Sequence, residues 1–181
     1  MYDFMSLTTP YTPIIERGIA LHKVMSRSSG MVGLPAYRQQ RVLPLPRRQF
    51  NLADSELLRY KFLNKWDAEM NKLEQSTGFL HKGPAYVSWK HGDDKMICFE
   101  RAGLLFVFNF HATKSFPDYK VGVEVPGTYK MALNSDDEDF GGWNRLKRDS
   151  EHMTFPEGYA GRRNHLLVYA PARTCLVLRL L

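Results

Sequence analysis

The stretch from Ala85 to Phe110 reads AYVSWKHGDDKMICFERAGLLFVFNF. Its runs 85–90, 95–101 and 104–110 are short and rich in aromatic and β-branched residues. Gly92-Asp93-Asp94 and Gly103 bound them, residues that turn the chain at little steric cost. The same pattern continues downstream. Runs 119–125 and 128–133 flank Pro126-Gly127, and runs 165–170 and 174–181 flank Pro171-Ala172-Arg173. Residues 134–161 between them form a long polar, glycine-containing connection. Seven short strands over residues 85–181 predict an antiparallel β-sandwich, long enough to bury its own core.

Upstream the period changes from two to that of a helix. Over residues 51–75, Leu58, Phe62, Trp66, Met70 and Leu73 make an apolar stripe, with Lys61, Lys65, Asp67, Glu69, Lys72 and Glu74 on the polar side. Asn51 or Asp54 can cap this helix and Gly78 ends it. The stripe reads as packing rather than as a cofactor site. A second helix is predicted over 13–25, where Pro13 suits the first turn and Ile14, Ile15, Ile19, Leu21 and Met25 share an apolar face. Residues 26–46 show neither period, and Pro35, Pro44 and Pro46 argue for an irregular linker. The expected class is therefore mostly β with a helical N-terminal part.

Composition excludes several classes. Hydrophobic residues are 44% and charged residues 24%, ordinary for a globular chain. No apolar run approaches the ~20 residues of a membrane span, and Met1-Tyr2-Asp3-Phe4 does not open a signal peptide. Cys98 and Cys175 make neither a disulfide framework nor a zinc spacing, so a reducing, cytoplasmic setting is expected. The formal charge of +6 is concentrated in residues 27–48, where Arg27, Arg38, Arg41, Arg47 and Arg48 stand without an acid. That stretch has one aromatic, Tyr37, and no recognition motif, so no nucleic-acid partner is expected.

Candidate chemical groups are few. Asp136-Asp137-Glu138-Asp139 lacks the spaced oxygens and turn glycine of a calcium loop and reads as solvated. His111 and His165 have no nucleophile or carboxylate at a triad-like spacing. Cys98 and Cys175 lie within strand runs and read as small buried hydrophobes. Trp89, Trp143 and Tyr159 are either sugar-stacking platforms or packing residues. No catalytic residue, metal or cofactor is expected. The residues alone support a β-sandwich and name no reaction.

Several segments taken in order carry a resemblance. They are Met1-Tyr2-Asp3-Phe4-Met5, Thr12-Pro13-Ile14-Ile15-Glu16-Arg17-Gly18-Ile19-Ala20-Leu21-His22-Lys23 and Arg47-Arg48-Gln49-Phe50. Leu57-Leu58-Arg59-Tyr60-Lys61-Phe62-Leu63, Ala85-Tyr86-Val87-Ser88 and Phe99-Glu100-Arg101-Ala102-Gly103-Leu104-Leu105-Phe106 follow. Phe108-Asn109-Phe110-His111, Phe140-Gly141-Gly142 and Leu166-Leu167-Val168-Tyr169 complete the set. Apart from residues 26–46, the chain resembles the C-terminal portion of eukaryotic-type 1,4-α-glucan (glycogen or starch) branching enzymes. The resemblance implies the end of an α-amylase-type (β/α)8 barrel followed by an all-β domain. It also implies an α-glucan as partner, and chemistry done by an Asp nucleophile and a Glu acid/base. Those carboxylates and a third Asp belong upstream of the family segment that Met1 matches, so the chain alone is predicted inactive. The alternative is a non-catalytic glucan-binding or structural module.

The resemblance divides the chain into a barrel remnant at 1–25, an irregular linker at 26–50, a connecting helix at 51–82 and an all-β sandwich at 83–181. It also offers a second reading of the linker. When the codons of the family's corresponding segment are read from their third base, the product can run from Arg27 to Leu45 as in this chain. Residues 27–45 are then expected to be a shifted-frame translation, with the +5 stretch an accident of frame and the helix at 13–25 left without its barrel. Sequencing the transcript across Met25–Arg47 tests this, and a message in which 27–45 share the family's frame would refute it.

Overall fold

The structure, a computed structural model, describes residues 51–181. The expectations for the segments 1–25 and 26–50 lie outside the described residues. Two helices come first, α1 (Asn51–Asp54) and α2 (Tyr60–Thr77). The single helix expected over 51–75 is thus interrupted, with Leu57 95% exposed in the break. The apolar stripe does its packing from Phe62 onward. Trp66 and Met70 are buried, and Leu63 and Leu73 lie beside them. No side chain caps the start of α2, whereas Gly78 ends it in the left-handed conformation and donates its N–H to the Glu74 carbonyl.

Eight strands follow among the described residues: β1 (Tyr86–His91), β2 (Met96–Arg101), β3 (Leu104–Asn109), β4 (Phe116–Val123), β5 (Thr128–Asn134), β6 (Glu151–Met153), β7 (Asn164–Ala170) and β8 (Thr174–Leu180). The first six in spatial order, β1-β2-β3-β8-β5-β6, form one sheet, and β4 and β7 form a second. All pairings are antiparallel. The β2–β3 turn takes Ala102 and Gly103 at φ 51° and 76°, the pair of positive angles that matches the twist of a two-residue hairpin.

β3 is buried at every position. Leu105 and Val107 face the two-stranded sheet and pack with Val121, Val123, Leu166 and Val168. Leu104, Phe106 and Phe108 face the other way, toward Trp66, Met70 and Phe79. β8 divides likewise, Leu176 and Leu178 to one side and Cys175 and Val177 to the other. The molecule is therefore a β-sandwich with a helix laid over its outer face. A strand between two apolar layers has no solvent side, which is why 104–108 is a continuous apolar run. Asn109 closes β3 as a satisfied polar residue, its side-chain amide donating to the carbonyls of Ala170 and Lys114.

The connection 134–161 is more ordered than its composition suggests. It contains β6 and a short 3-10 helix, Glu138–Phe140. Its acidic run is solvated only at Glu138 and Asp139, whereas Asp136 and Asp137, also expected in solvent, are buried. Asp136 accepts bonds from the Arg145 guanidinium and from the backbone N–H groups of Arg145 and Trp143. Asp137 pairs with Arg148 and Asn134. Ion pairing and backbone donors replace the water these carboxylates lose.

Candidate functional site

β1 places Trp89 and His91 on one face because residues two apart along a strand project together. Their rings lie 5.9 Å apart and nearly parallel. The Trp89 indole N–H donates to the Tyr119 hydroxyl at 2.8 Å, and that hydroxyl lies 3.3 Å from Asp94 Oδ2. Burial, with the nearby Asp94 and Cys98, pushes the Tyr119 hydroxyl up to about 12, although the Trp89 hydrogen bond pulls the other way. Tyr119 therefore stays protonated and keeps its O–H for Asp94. His91 Nδ1 accepts the Asp94 backbone N–H at 3.1 Å, and Lys114 Nζ approaches Asp94 Oδ1 at 3.5 Å.

Tyr159 meets this group from the 134–161 connection. Its ring centroid is 5.4 Å from that of Trp89, inclined by 39°. Lys120 Nζ lies 5.2 Å over the Tyr159 ring and 3.8 Å from Glu157. The result is a row, Tyr159–Trp89–His91, with Lys120 and Glu157 at one end and Asp94 and Lys114 at the other.

The structure thus joins two of the three aromatics that the sequence singles out. Trp89 is half-buried against the core rather than protruding, and Tyr159 is half-exposed. Trp143 sits elsewhere, on the Asp136-centred loop. It is 54% exposed, with the Arg145 guanidinium 5.0 Å over its ring. A groove of about 570 Å³ between α2 and β5, lined by Lys65, Glu69, Met131, Leu133, Phe140 and Arg148 among others, includes none of the three. His111 and His165 are engaged in loop structure. His111 Nδ1 accepts the N–H groups of Thr113 and Lys114, and His165 Nδ1 bonds the Glu157 carbonyl. Both cysteines are buried, and burial alone pushes the Cys98 thiol up to about 12, far from a reactive thiolate.

Asp94, Tyr119, Lys120 and Arg162 surround the row and were not singled out by sequence reasoning. For Arg162 a signal existed, since Ala160-Gly161 is a turn pair inside a stretch that reads as a plain connection. Asp94 was read only as a turn residue, and nothing local marks its partners. Among the described residues, no group of three or more His, Cys, Asp and Glu side chains is arranged to hold a metal. No described helix is long and apolar enough to cross a membrane.

Comparison with known proteins fits this architecture. Residues 86–180 match the family described as alpha amylase, C-terminal all-beta domain. Over 99% of its length the chain is 44% identical to a 1,4-alpha-glucan-branching enzyme of Emericella nidulans and 46% identical to one of Aspergillus oryzae, covering 29% of each. It is 42% identical to the corresponding protein of Equus caballus over 99% of the chain and 28% of that protein. The chain thus spans under a third of the length of these curated relatives, and it aligns to their C-terminal part. With its helix-covered β-sandwich and alignments that cover 99% of its length at 44–46% identity, the chain belongs to the 1,4-alpha-glucan-branching enzyme family, of which it represents the C-terminal portion.

Proposed function

We propose that this chain serves as the non-catalytic C-terminal part of a cytoplasmic 1,4-α-glucan branching enzyme. In such an enzyme a segment of α-1,4-linked glucan is moved onto a 6-hydroxyl of the stored polymer. The supporting observation is the asymmetry of coverage, about all of this chain against 28–29% of its relatives. A retaining transfer needs two carboxylates flanking the scissile bond, one as nucleophile and one as acid/base. By the resemblance, these would precede the segment that Met1 matches. The alignments run over 199 residues for a chain of 181, so the relatives also hold positions without a counterpart here. The partner is an α-glucan, glycogen or starch, met through the Trp89–Tyr159 row, with Trp143 as a separate stacking residue.

The experiment is to incubate the purified 181-residue chain with amylose and, separately, with immobilised glycogen. The chain is expected to be retained on glycogen and to form no α-1,6 linkages. New α-1,6 linkages would refute the non-catalytic assignment, and passage through the glycogen resin unretained would refute the glucan partner. A stand-alone binding module is the second reading. The completeness of the helix-covered sandwich over residues 60–180 favours it.

A further inference from the structure

The loop between the short 3-10 helix and β6 carries a motif that the branching-enzyme reading does not use. Lys147-Arg148-Asp149-Ser150 places two adjacent basic residues three and two positions before a serine. No other serine or threonine of the chain follows two adjacent Lys or Arg residues at that spacing. Protein kinases with an acidic substrate cleft choose their serines by such a charge pattern.

The setting makes the motif accessible. Lys147, Arg148 and Asp149 are exposed, and Ser150 is half-exposed. The three residues of β6 that follow have no buried side chain and lie at the edge of the six-stranded sheet. The Met131 N–H reaches the Ser150 carbonyl only at 3.4 Å. A loop and edge held by so few buried contacts open locally at far less cost than the whole fold.

Ser150 closes a turn on Lys147. Its backbone N–H donates to the Lys147 carbonyl at 3.2 Å, and its hydroxyl donates to the same oxygen at 2.7 Å. Arg148 is the second residue of this turn. Its Nε donates to Asp137 Oδ2 at 2.8 Å and its Nη2 to Asp139 Oδ2 at 2.7 Å. The Asp137 side chain is only 7% exposed. Burial pushes its carboxyl up, and the Arg148 guanidinium is the main group that opposes this. Asp137, Asp139 and Arg148 also help to line the groove beside α2.

A phosphate on Ser150 replaces the hydroxyl hydrogen with about two negative charges and three strong acceptor oxygens. The Lys147 carbonyl, itself an acceptor, then loses its hydroxyl donor and meets acceptors instead. Asp149 and Glu151 flank the phosphate with charge of the same sign. The cations at hand are Lys147, Arg148 and Lys130, whose Nζ lies 3.4 Å from Asp149 Oδ1. Of these, Arg148 has the planar fork that suits a phosphate best.

We propose that Ser150 is a phosphorylation site for a basophilic protein kinase, and that its phosphate opens the 147–150 turn and draws Arg148 away from Asp137 and Asp139. In the transfer, Ser150 Oγ attacks the γ-phosphorus of ATP. The new O–P bond forms as the bond from that phosphorus to the β–γ bridging oxygen breaks. ADP leaves, and the hydroxyl proton passes to the catalytic carboxylate of the kinase. The buried Asp137 is then left with Asn134 as its side-chain partner, and the loop around it loosens.

The test is to incubate the folded 181-residue chain with ATP, magnesium and the catalytic subunit of cyclic-AMP-dependent protein kinase, and to map the phosphopeptides of wild type, S150A and K147A. Wild type is expected to take one phosphate, on Ser150, and S150A none. K147A, which keeps the backbone carbonyl of the turn, should be modified several-fold more slowly. Wild type left unmodified, or S150A modified as fast as wild type, would overturn the site. K147A modified at the wild-type rate would overturn recognition through the basic pair. Hydrogen exchange then compares the chain before and after phosphorylation. The Ser150 N–H reports on the turn, and the N–H groups of Phe140 and Gly142, which donate to the Asp137 carbonyl, report on the Arg148 contact. All three should exchange several-fold faster in the phosphorylated chain, while the amides of β3 and β8 keep their rates. An unchanged Ser150 amide would overturn the opening of the turn, and unchanged Phe140 and Gly142 amides would overturn the release of Arg148.

Discussion

Asp136 has no exposed surface, yet it is charged and organises the loop that follows β5. Burial pushes its carboxyl up, but the hydrogen bonds and charge of Arg145, with the N–H of Trp143, outweigh that and hold it below its ordinary 3.8. The loop closes so tightly that a Cβ on Gly142 would fall 2.0 Å from the Asp136 carbonyl oxygen. Asp136→Ala removes one partner of a buried pair and leaves two backbone donors unmet. The expected loss is about 3 kcal/mol in urea unfolding, at the low end for such a change because Arg145 stays 28% exposed. The pH dependence has a definite sign. A carboxyl whose folded value is depressed contributes its stability in full above its unfolded value and loses it as pH falls through the folded value. Stability should therefore fall as the solution is acidified below about pH 4, and D136N should flatten that fall. An unchanged acid limb in D136N would show that other carboxylates set it.

At the scale of elements, the decisive relation is between α2 and β3. Phe106 is fully buried, with its ring 4.7 Å from Phe99 and 5.4 Å from Phe79, and Trp66 and Met70 lie over the same face. The residues that match the all-beta family, 86–180, contain Phe99, Phe106, Phe108 and Val177 but not the helix that covers them. A chain starting at Ala85 should therefore expose a large apolar face. It is expected to bind a hydrophobic dye and aggregate, whereas one starting at Asn51 remains monomeric. A monomeric, dye-silent product from Ala85 would show that the sandwich needs no helix. Within this element pair the sequence was informative in part. The stripe from Phe62 to Leu73 was legible because apolar spacing records which side of a helix is dry. The interruption between α1 and α2 was not, because Leu57 and Leu58 fit an apolar stripe and nothing local shows that Leu57 is left in solvent.

At the scale of the whole molecule, the runs that became β1 to β3, β5, β7 and β8 were legible from composition and turn residues, and β4 was found with both ends misplaced, at 119–125 against Phe116–Val123. β6 escaped because it has three residues with no buried side chain, and so presents no apolar face to detect. The pairing of β3 with β8 and of β5 with β8 joins residues far apart in the chain, and alternation does not encode a partner. The candidate site shows the same division. Trp89, Trp143 and Tyr159 were legible as residue types, but only the folded chain brings Trp89 and Tyr159 together and leaves Trp143 on another loop. Arg162 pairs with Glu100 of β2 and with Glu124, one residue past β4, positions so far apart in the chain that no spacing in the sequence marks them. What the sequence by itself determined is local. Side-chain alternation sets which face of a strand is apolar, and glycine and proline set where the chain turns. Tertiary structure alone decided which carboxylates are dry, which strands are neighbours and which rings meet, because burial and contact depend on what the rest of the chain places opposite.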